Sequence, residues 1–306
     1  MRWRDRAKVA LGHAWRWAEQ LGVHVLPVNF YSQQPNIGEL IATRATWAKP
    51  STLPGIDANP DRQIANLREM CLPYQHEFLG GRTYLHAAAN AAGPGYGFIE
   101  AQVLHGIIRR AKPRQIIEVG SGVSTYCALA ATELNRQEGS TATITCIEPF
   151  PSAALRSMPV TLISRRVQDV LPDVFATLAL GDILFIDSTH AVRTGGDVNY
   201  LVLEILPRLA SGVLVHIHDI YLPYDYSPET LQRAWRQWSE TSLVRAFLID
   251  NPRVEILACL SQLHHERPAE MKEVFPDYRP RPTSSGLFSD FDDESHYPSS
   301  LWLRTR

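Results

Sequence analysis

Twice between residues 187 and 219 the sequence sets histidine close to aspartate, as Asp187-Ser188-Thr189-His190 and as His216-Ile217-His218-Asp219. An imidazole with an ordinary pKa near ~6.5 takes or gives a proton at neutral pH. A neighbouring carboxylate orients it, so His190 or His218 is a candidate general base held by Asp187 or Asp219. Upstream lies a different chemistry, Glu118-Val119-Gly120-Ser121-Gly122-Val123-Ser124-Thr125. Gly120 and Gly122 allow a sharp turn and a close approach of backbone to ligand. Ser124 or Thr125 is placed to cap a following helix, and a helix N-terminus favours anionic and nucleotide-like groups. Glu148 follows the turn at roughly the 20–30 residues where an acid accepts hydrogen bonds from ribose hydroxyls. Gln168 and Asp169 carry side chains able to read an adenine edge.

Strands must bring these residues together. Apolar, β-branched runs predict strands at Gln115–Val119, Ala142–Ile147, Val160–Ser164, Asp182–Asp187 and Gly212–His218. Arg245–Ile249 and Val254–Leu260 read as an antiparallel edge, and Ser300-Leu301-Trp302-Leu303 as a short last strand. Helices are expected at Phe98–Ala111, Ser124–Asn135, Ser152–Ser157, Asp173–Ala179, Val198–Leu209 and Pro228–Glu240. This alternation predicts an α/β fold, a doubly wound, Rossmann-like, seven-stranded, mostly parallel sheet with helices on both faces. Ligands of such sheets lie outside the carboxyl ends of the strands, where Glu118, Glu148, Asp187, His218 and Asp219 fall. His216 and His218 alternate, so they share one face of their strand and Asp219 points the other way.

Residues 1–95 read as an N-terminal helical and loop cap, and 96–306 as the α/β domain. Within the cap, residues 1–25 form a basic, Trp-rich amphipathic helix with Val9, Leu11, Trp15, Ala18 and Leu21 on roughly one face. Such a helix packs on its own protein's core or lies on a membrane surface; the first is the expectation here. The prolines from Pro27 to Pro60 mark a long irregular segment that includes Phe30-Tyr31-Ser32.

A net charge of −2, with Lys+Arg 30 against Asp+Glu 32, offers no reason to expect a nucleic-acid partner. Cys71, Cys127, Cys146 and Cys259 show no paired spacing and are expected to be buried reduced thiols of a cytoplasmic protein. No apolar run has the length of a membrane span.

The run Ile117-Glu118-Val119-Gly120-Ser121-Gly122 resembles motif I of class I S-adenosylmethionine-dependent methyltransferases, and Glu148 matches their acid after the second strand. Gly181-Asp182-Ile183-Leu184-Phe185-Ile186-Asp187-Ser188-Thr189-His190, Gly196-Asp197-Val198-Asn199 and Val215-His216-Ile217-His218-Asp219-Ile220 resemble a bacterial subfamily of these enzymes. That subfamily tends to carry Trp-Asn-Glu-x-Tyr before its sixth strand. Here the segment is Trp238-Ser239-Glu240-Thr241-Ser242, which departs from it at Asn and Tyr. The resemblance implies S-adenosylmethionine as cofactor, contacted by Glu118, Gly120, Ser121, Gly122, Ser124, Glu148 and Asp169. Thr125, standing where a dinucleotide fingerprint would want glycine, points the same way. The implied catalytic residues are His190, Asp187 and His218.

Similarity to catechol-type O-methyltransferases implies, as one arrangement, a divalent metal on Asp187, His218 and Asp219. A histidine ligand suits Mn, Fe, Co or Zn better than Mg. The other arrangement has no metal and a histidine base. The expected reaction is O-methylation of a small-molecule hydroxyl, as in secondary metabolism. The alternatives are N-methylation without metal and a non-catalytic S-adenosylmethionine- or nucleotide-binding regulator. A homo-oligomer is compatible with all of them.

Overall fold

A computed structural model describes residues 3–24, 36–90, 95–226, 238–280, 282–283, 286–287 and 296–306. The expected helix Pro228–Glu240, apart from its last residues, and Phe30-Tyr31-Ser32 lie outside them. The chain divides into two compact units, Met1–Thr46 and Trp47–Arg306, so the expected boundary at residue 95 falls inside the second.

The first unit contains helix α1, Trp3–Gln20, and a shorter helix, Ile37–Ala42, whose start is capped by Asn36 Oδ1 accepting from Glu39 N at 3.1 Å. On α1, Trp15 and Ala18 are half-buried while Leu11 and Leu21 are exposed.

The second unit is built on seven strands: β1 Gln115–Val119, β2 Thr143–Ile147, β3 Thr161–Ile163, β4 Ile183–Ile186, β5 Leu214–Ile217, β6 Val254–Cys259 and β7 Leu301–Thr305. Their order in the sheet is β3-β2-β1-β4-β5-β7-β6. β1 to β5 are parallel, and β7 runs antiparallel between β5 and β6. This is the predicted α/β sheet, with the last strand of the chain inserted rather than added at the edge. Because the order reverses at β1, a crevice opens between the carboxyl ends of β1 and β4.

Alternation along the strands supplies two cores. Ile116, Ile144, Cys146, Phe185 and Trp302 pack with Leu104 and Ile108 of helix α3, Phe98–Ala111, and with Ala128 of helix α4, Val123–Gln137. Ile117, Val119, Leu184, Ile186, Val215 and Ile217 pack on the other face with Val198, Leu201 and Val202. Helix α2, Pro60–Cys71, belongs to the first of these layers through Ile64 and Leu67.

One expected strand is helix instead. Arg245–Ile249 lies almost wholly in helix α5, Glu240–Leu248. Its buried residues Thr241, Val244 and Leu248 recur at spacings of three and four, and the short apolar run alone does not distinguish that period from a strand. The four cysteines are free and buried, as expected.

Candidate active site

At the end of β1 the chain turns on Gly120, which has φ +78°. A Cβ there would lie 1.8 Å from the Asp187 carbonyl oxygen, so only glycine lets the β1 turn pass the end of β4. Asp187 N donates to Val119 O at 2.8 Å and continues the ladder up to the turn. Gly122 has open space where a Cβ would stand, and α4 starts directly after it.

Neither Ser124 nor Thr125 occupies the cap position expected of them. Thr125 Oγ1 instead accepts from Gly122 N at 3.1 Å, reaching back from the first turn. Ser124 Oγ and Thr125 Oγ1 each donate to one oxygen of Glu118, both at 2.6 Å. Glu118 is buried beneath the turn, and that burial raises its pKa to about 7 against the lowering effect of these bonds. It therefore fixes the turn from behind.

In front of the turn is a cavity of about 330 Å³ lined by Gly120, Ser121, Gly122, Ser124, Glu148 and Asp187, among others. Ser121 Oγ, which borders it, is buried and has no hydrogen-bond partner among the described residues. Glu148 Oε1 accepts from Phe150 N at 2.8 Å, which aligns the carboxylate at the end of β2. The structure thus brings five of the seven expected cofactor contacts to one cavity. Glu118 is behind it, and Asp169 is on the surface, where Arg166 holds both its oxygens at 2.8 and 3.0 Å.

Asp187 forms the far wall of this cavity and the near edge of a buried charged cluster. His190 Nε2 lies 3.3 Å from Asp187 Oδ1 and 3.6 Å from Asp219 Oδ2. On the other side of the ring, His190 Nδ1 is 2.9 Å from Glu240 Oε2, at the start of α5. The His190 carbonyl accepts from Ser239 N and Glu240 N at 2.9 and 3.1 Å, so main chain and side chain are clamped by one segment. Asp197 secures the loop further by accepting from Thr189 Oγ1 at 2.7 Å and Thr189 N at 3.0 Å. Burial by itself would lower the His190 pKa. The bonds to Asp187 and Glu240 and the charge of Asp219 outweigh it and raise the pKa to about 10. At neutral pH the resting ring is an imidazolium.

His218 belongs to a second arm of the cluster. Its Nδ1 is 3.3 Å from Glu100 Oε1, and its Nε2 is 3.9 Å from Asp219 Oδ1. Glu100 Oε1 also accepts from Ser300 Oγ at 2.7 Å and Ser299 N at 3.0 Å, and Glu100 Oε2 accepts from Gly97 N at 3.1 Å. Asp219 Oδ1 takes Ser299 Oγ at 2.8 Å and Tyr221 OH at 3.1 Å. Burial lowers the His218 pKa, but Asp219 and Glu100 overcome it and hold the pKa well above the usual range. His216 shares the His218 face, as the alternation predicted, with ring centroids 5.8 Å apart. It is fully buried, kept neutral by that burial, and bonded through Nε2 to Ser300 Oγ at 2.9 Å. His190 and Asp219 both have positive φ, 57° and 52°, a conformation that non-glycine residues adopt chiefly where the surrounding structure enforces it.

Asp187, His218 and Asp219 do not form a metal-binding set. His218 is turned to Glu100, and one Asp219 oxygen is taken by Ser299 and Tyr221. Among the described residues no group of three or more His, Cys, Asp and Glu is arranged to hold a metal ion.

Residues 117–220 match the family model of a methyltransferase domain. The matched stretch contains the glycine turn, the cavity's Glu148 and both histidine–aspartate pairs, and the match marks the chain as an enzyme. Glu100, Glu240 and Ser299, which complete the charged cluster, come from outside the matched stretch. No curated protein matches the chain. Among solved structures it is similar to a candidate protein-L-isoaspartate O-methyltransferase of Plasmodium falciparum in complex with S-adenosyl-L-homocysteine, at 11% identity, TM-score 0.30, covering 51% of this chain and 83% of that one. A candidate methyltransferase of Thermobifida fusca aligns at 14% identity, TM-score 0.30, covering 90% of this chain and 99% of that one. An S-adenosylmethionine-dependent methyltransferase of Anabaena variabilis aligns at 12% identity, TM-score 0.33, covering 84% and 100%. Likenesses this distant carry no argument about activity.

Glu100 and Glu240 were not among the expected site residues. The available signals were an acid in the first turn of helix α3 and the Glu of Trp238-Ser239-Glu240.

Proposed function

We propose that the methyltransferase domain uses S-adenosylmethionine to methylate a hydroxyl of a small molecule, with His190 as the base. The reading rests on one observation, that Asp187 is shared between the cavity of the glycine turn and the His190 imidazole. The cavity residues fit such a donor. Gly122 leaves room, the Ser121 hydroxyl has no hydrogen-bond partner among the described residues, and Glu148, lining the cavity at the end of β2, is an acid able to accept from ribose hydroxyls. When bound, S-adenosylmethionine supplies a methyl group activated by a sulfonium.

A hydroxyl acceptor must lose a proton as it is methylated. Glu240, bonded to Nδ1, fixes the His190 ring with Nε2 towards Asp187 and Asp219. Asp187 faces both the cavity and the ring, so positive charge in the cavity weakens its hold on the His190 proton, and the imidazolium first gives up its Nε2 proton by way of Asp187 to water in the open cavity. The neutral ring then accepts the proton of the acceptor hydroxyl, and Glu240 and Asp219 stabilise the imidazolium that results. His218, tied to Glu100, supports Asp219 rather than acting as a second base. Since the donor set does not fit a metal, no step is assigned to one.

Isothermal titration with S-adenosylmethionine, followed by transfer of labelled methyl to a panel of hydroxylated and amine compounds, tests this. Binding followed by methylation of hydroxyls is expected. Absence of donor binding sinks the proposal, and transfer to amines alone would replace O-methylation by N-methylation.

A further inference from the structure

We propose that helix α1 lies on an anionic lipid surface. Along α1, Leu11, Ala14, Trp17 and Leu21 recur at spacings of three and four, so they share one side of the helix. Among the described residues that side is open: Leu11 is 48% exposed, Trp17 66% and Leu21 62%. Val23, just beyond the helix, is 52% exposed. Trp15 and Ala18 border this stripe on the same apolar side and are half-buried, while Leu11, Trp17 and Leu21 stay open.

A tryptophan and two leucines in water are costly, because an apolar side chain of this size gains roughly 1.5–3 kcal/mol on full burial. Something outside the stripe's own unit should therefore cover it. The charges select what. Residues 1–24 carry Arg2, Arg4, Arg6, Lys8 and Arg16 against Asp5 and Glu19, in a chain whose net charge is −2. A basic helix with a tryptophan-bearing apolar side suits the boundary of an anionic bilayer, where rings and aliphatic chains enter the acyl region and cations meet the headgroups. Among the described residues no helix is long and apolar enough to cross a membrane, so the contact would be along the surface. A second copy of this chain would bring the same positive charge against itself.

Flotation of the full chain with lipid vesicles tests the proposal. The chain should float with phosphatidylglycerol-containing vesicles at low salt and stay behind with pure phosphatidylcholine. Trp17→Asp together with Leu21→Asp should abolish flotation while the melting temperature stays at the wild-type value. Arg16→Ala, which leaves the apolar stripe intact, should weaken binding about fivefold, the effect of one cation near an anionic surface. Failure to float with the anionic vesicles, or equal flotation with both compositions, overturns the proposal. So does a concentration-dependent dimer, seen by light scattering, that Trp17→Asp disrupts, since it gives the stripe to a second copy.

Discussion

The two sides of Asp187 are built on opposite principles. On the cavity side the turn is local: Glu118, Gly120, Gly122, Ser124 and Thr125 lie within eight residues of one another and bond among themselves. That side leaves a space. On the histidine side, four carboxylates and two imidazoles are gathered from four segments of the chain, Glu100, Asp187 with His190, His218 with Asp219, and Glu240, and most of their polar atoms already have partners. A cavity made by one contiguous turn can be specified by a short motif. A charged cluster has to be assembled by the whole sheet, and each member's ionisation depends on the others. Donor binding and proton transfer should therefore be separable by mutation.

The largest effect should come where the two sides touch. Gly120→Val puts a side chain into the Asp187 carbonyl at a positive φ, and should cost about 3 kcal/mol or more, read as a large drop in melting temperature. Next, His190→Ala should lower turnover by roughly 100- to 10,000-fold, the range of a general base, while S-adenosylhomocysteine affinity stays near wild type. Glu240→Gln should reduce turnover by about 10- to 100-fold and move the acid limb of the pH–rate profile to lower pH, because a neutral partner raises the His190 pKa less. A merely structural role for Glu240 would leave that limb in place.

Stability should also depend on pH through the histidine side. The folded-state pKa of His190 is raised to about 10, so its contribution is full below the ordinary value near ~6.5 and is lost as pH rises towards 10. The melting temperature of the wild type should fall over that window, and the fall should be shallower in His190→Ala. The smallest effect is expected at Asp169→Ala. This exposed ion pair with Arg166 does not line the cavity, so donor affinity should change less than about twofold.

The same contrast explains what could be read from residues alone. Strands β1, β2, β4 and β5 were legible as buried β-branched runs. The cavity residues were legible because Gly120, Ser121, Gly122 and Ser124 are contiguous and Glu148 follows at a fixed distance. His190, His218, Asp187 and Asp219 were visible as candidates, but their partners were not. Glu100 and Glu240 lie far along the chain from the histidines they hold, and no local pattern couples such positions.

 The contact between Glu100 and His218 itself spans 118 positions of chain, and that between Glu240 and His190 spans 50. Helix α5 was misread for a related reason: over Arg245–Ile249 the apolar run fits either period, and only the packing of Val244 and Leu248 against the second core decides for helix.

The separability of donor binding from proton transfer is tested most directly by titrating S-adenosylhomocysteine calorimetrically into the wild type, Glu148→Ala and Glu240→Gln. The account predicts one site per chain, weakened about tenfold by Glu148→Ala through the loss of the ribose contact and changed less than about twofold by Glu240→Gln. No binding to the wild type, or equal weakening by the two substitutions, would contradict it.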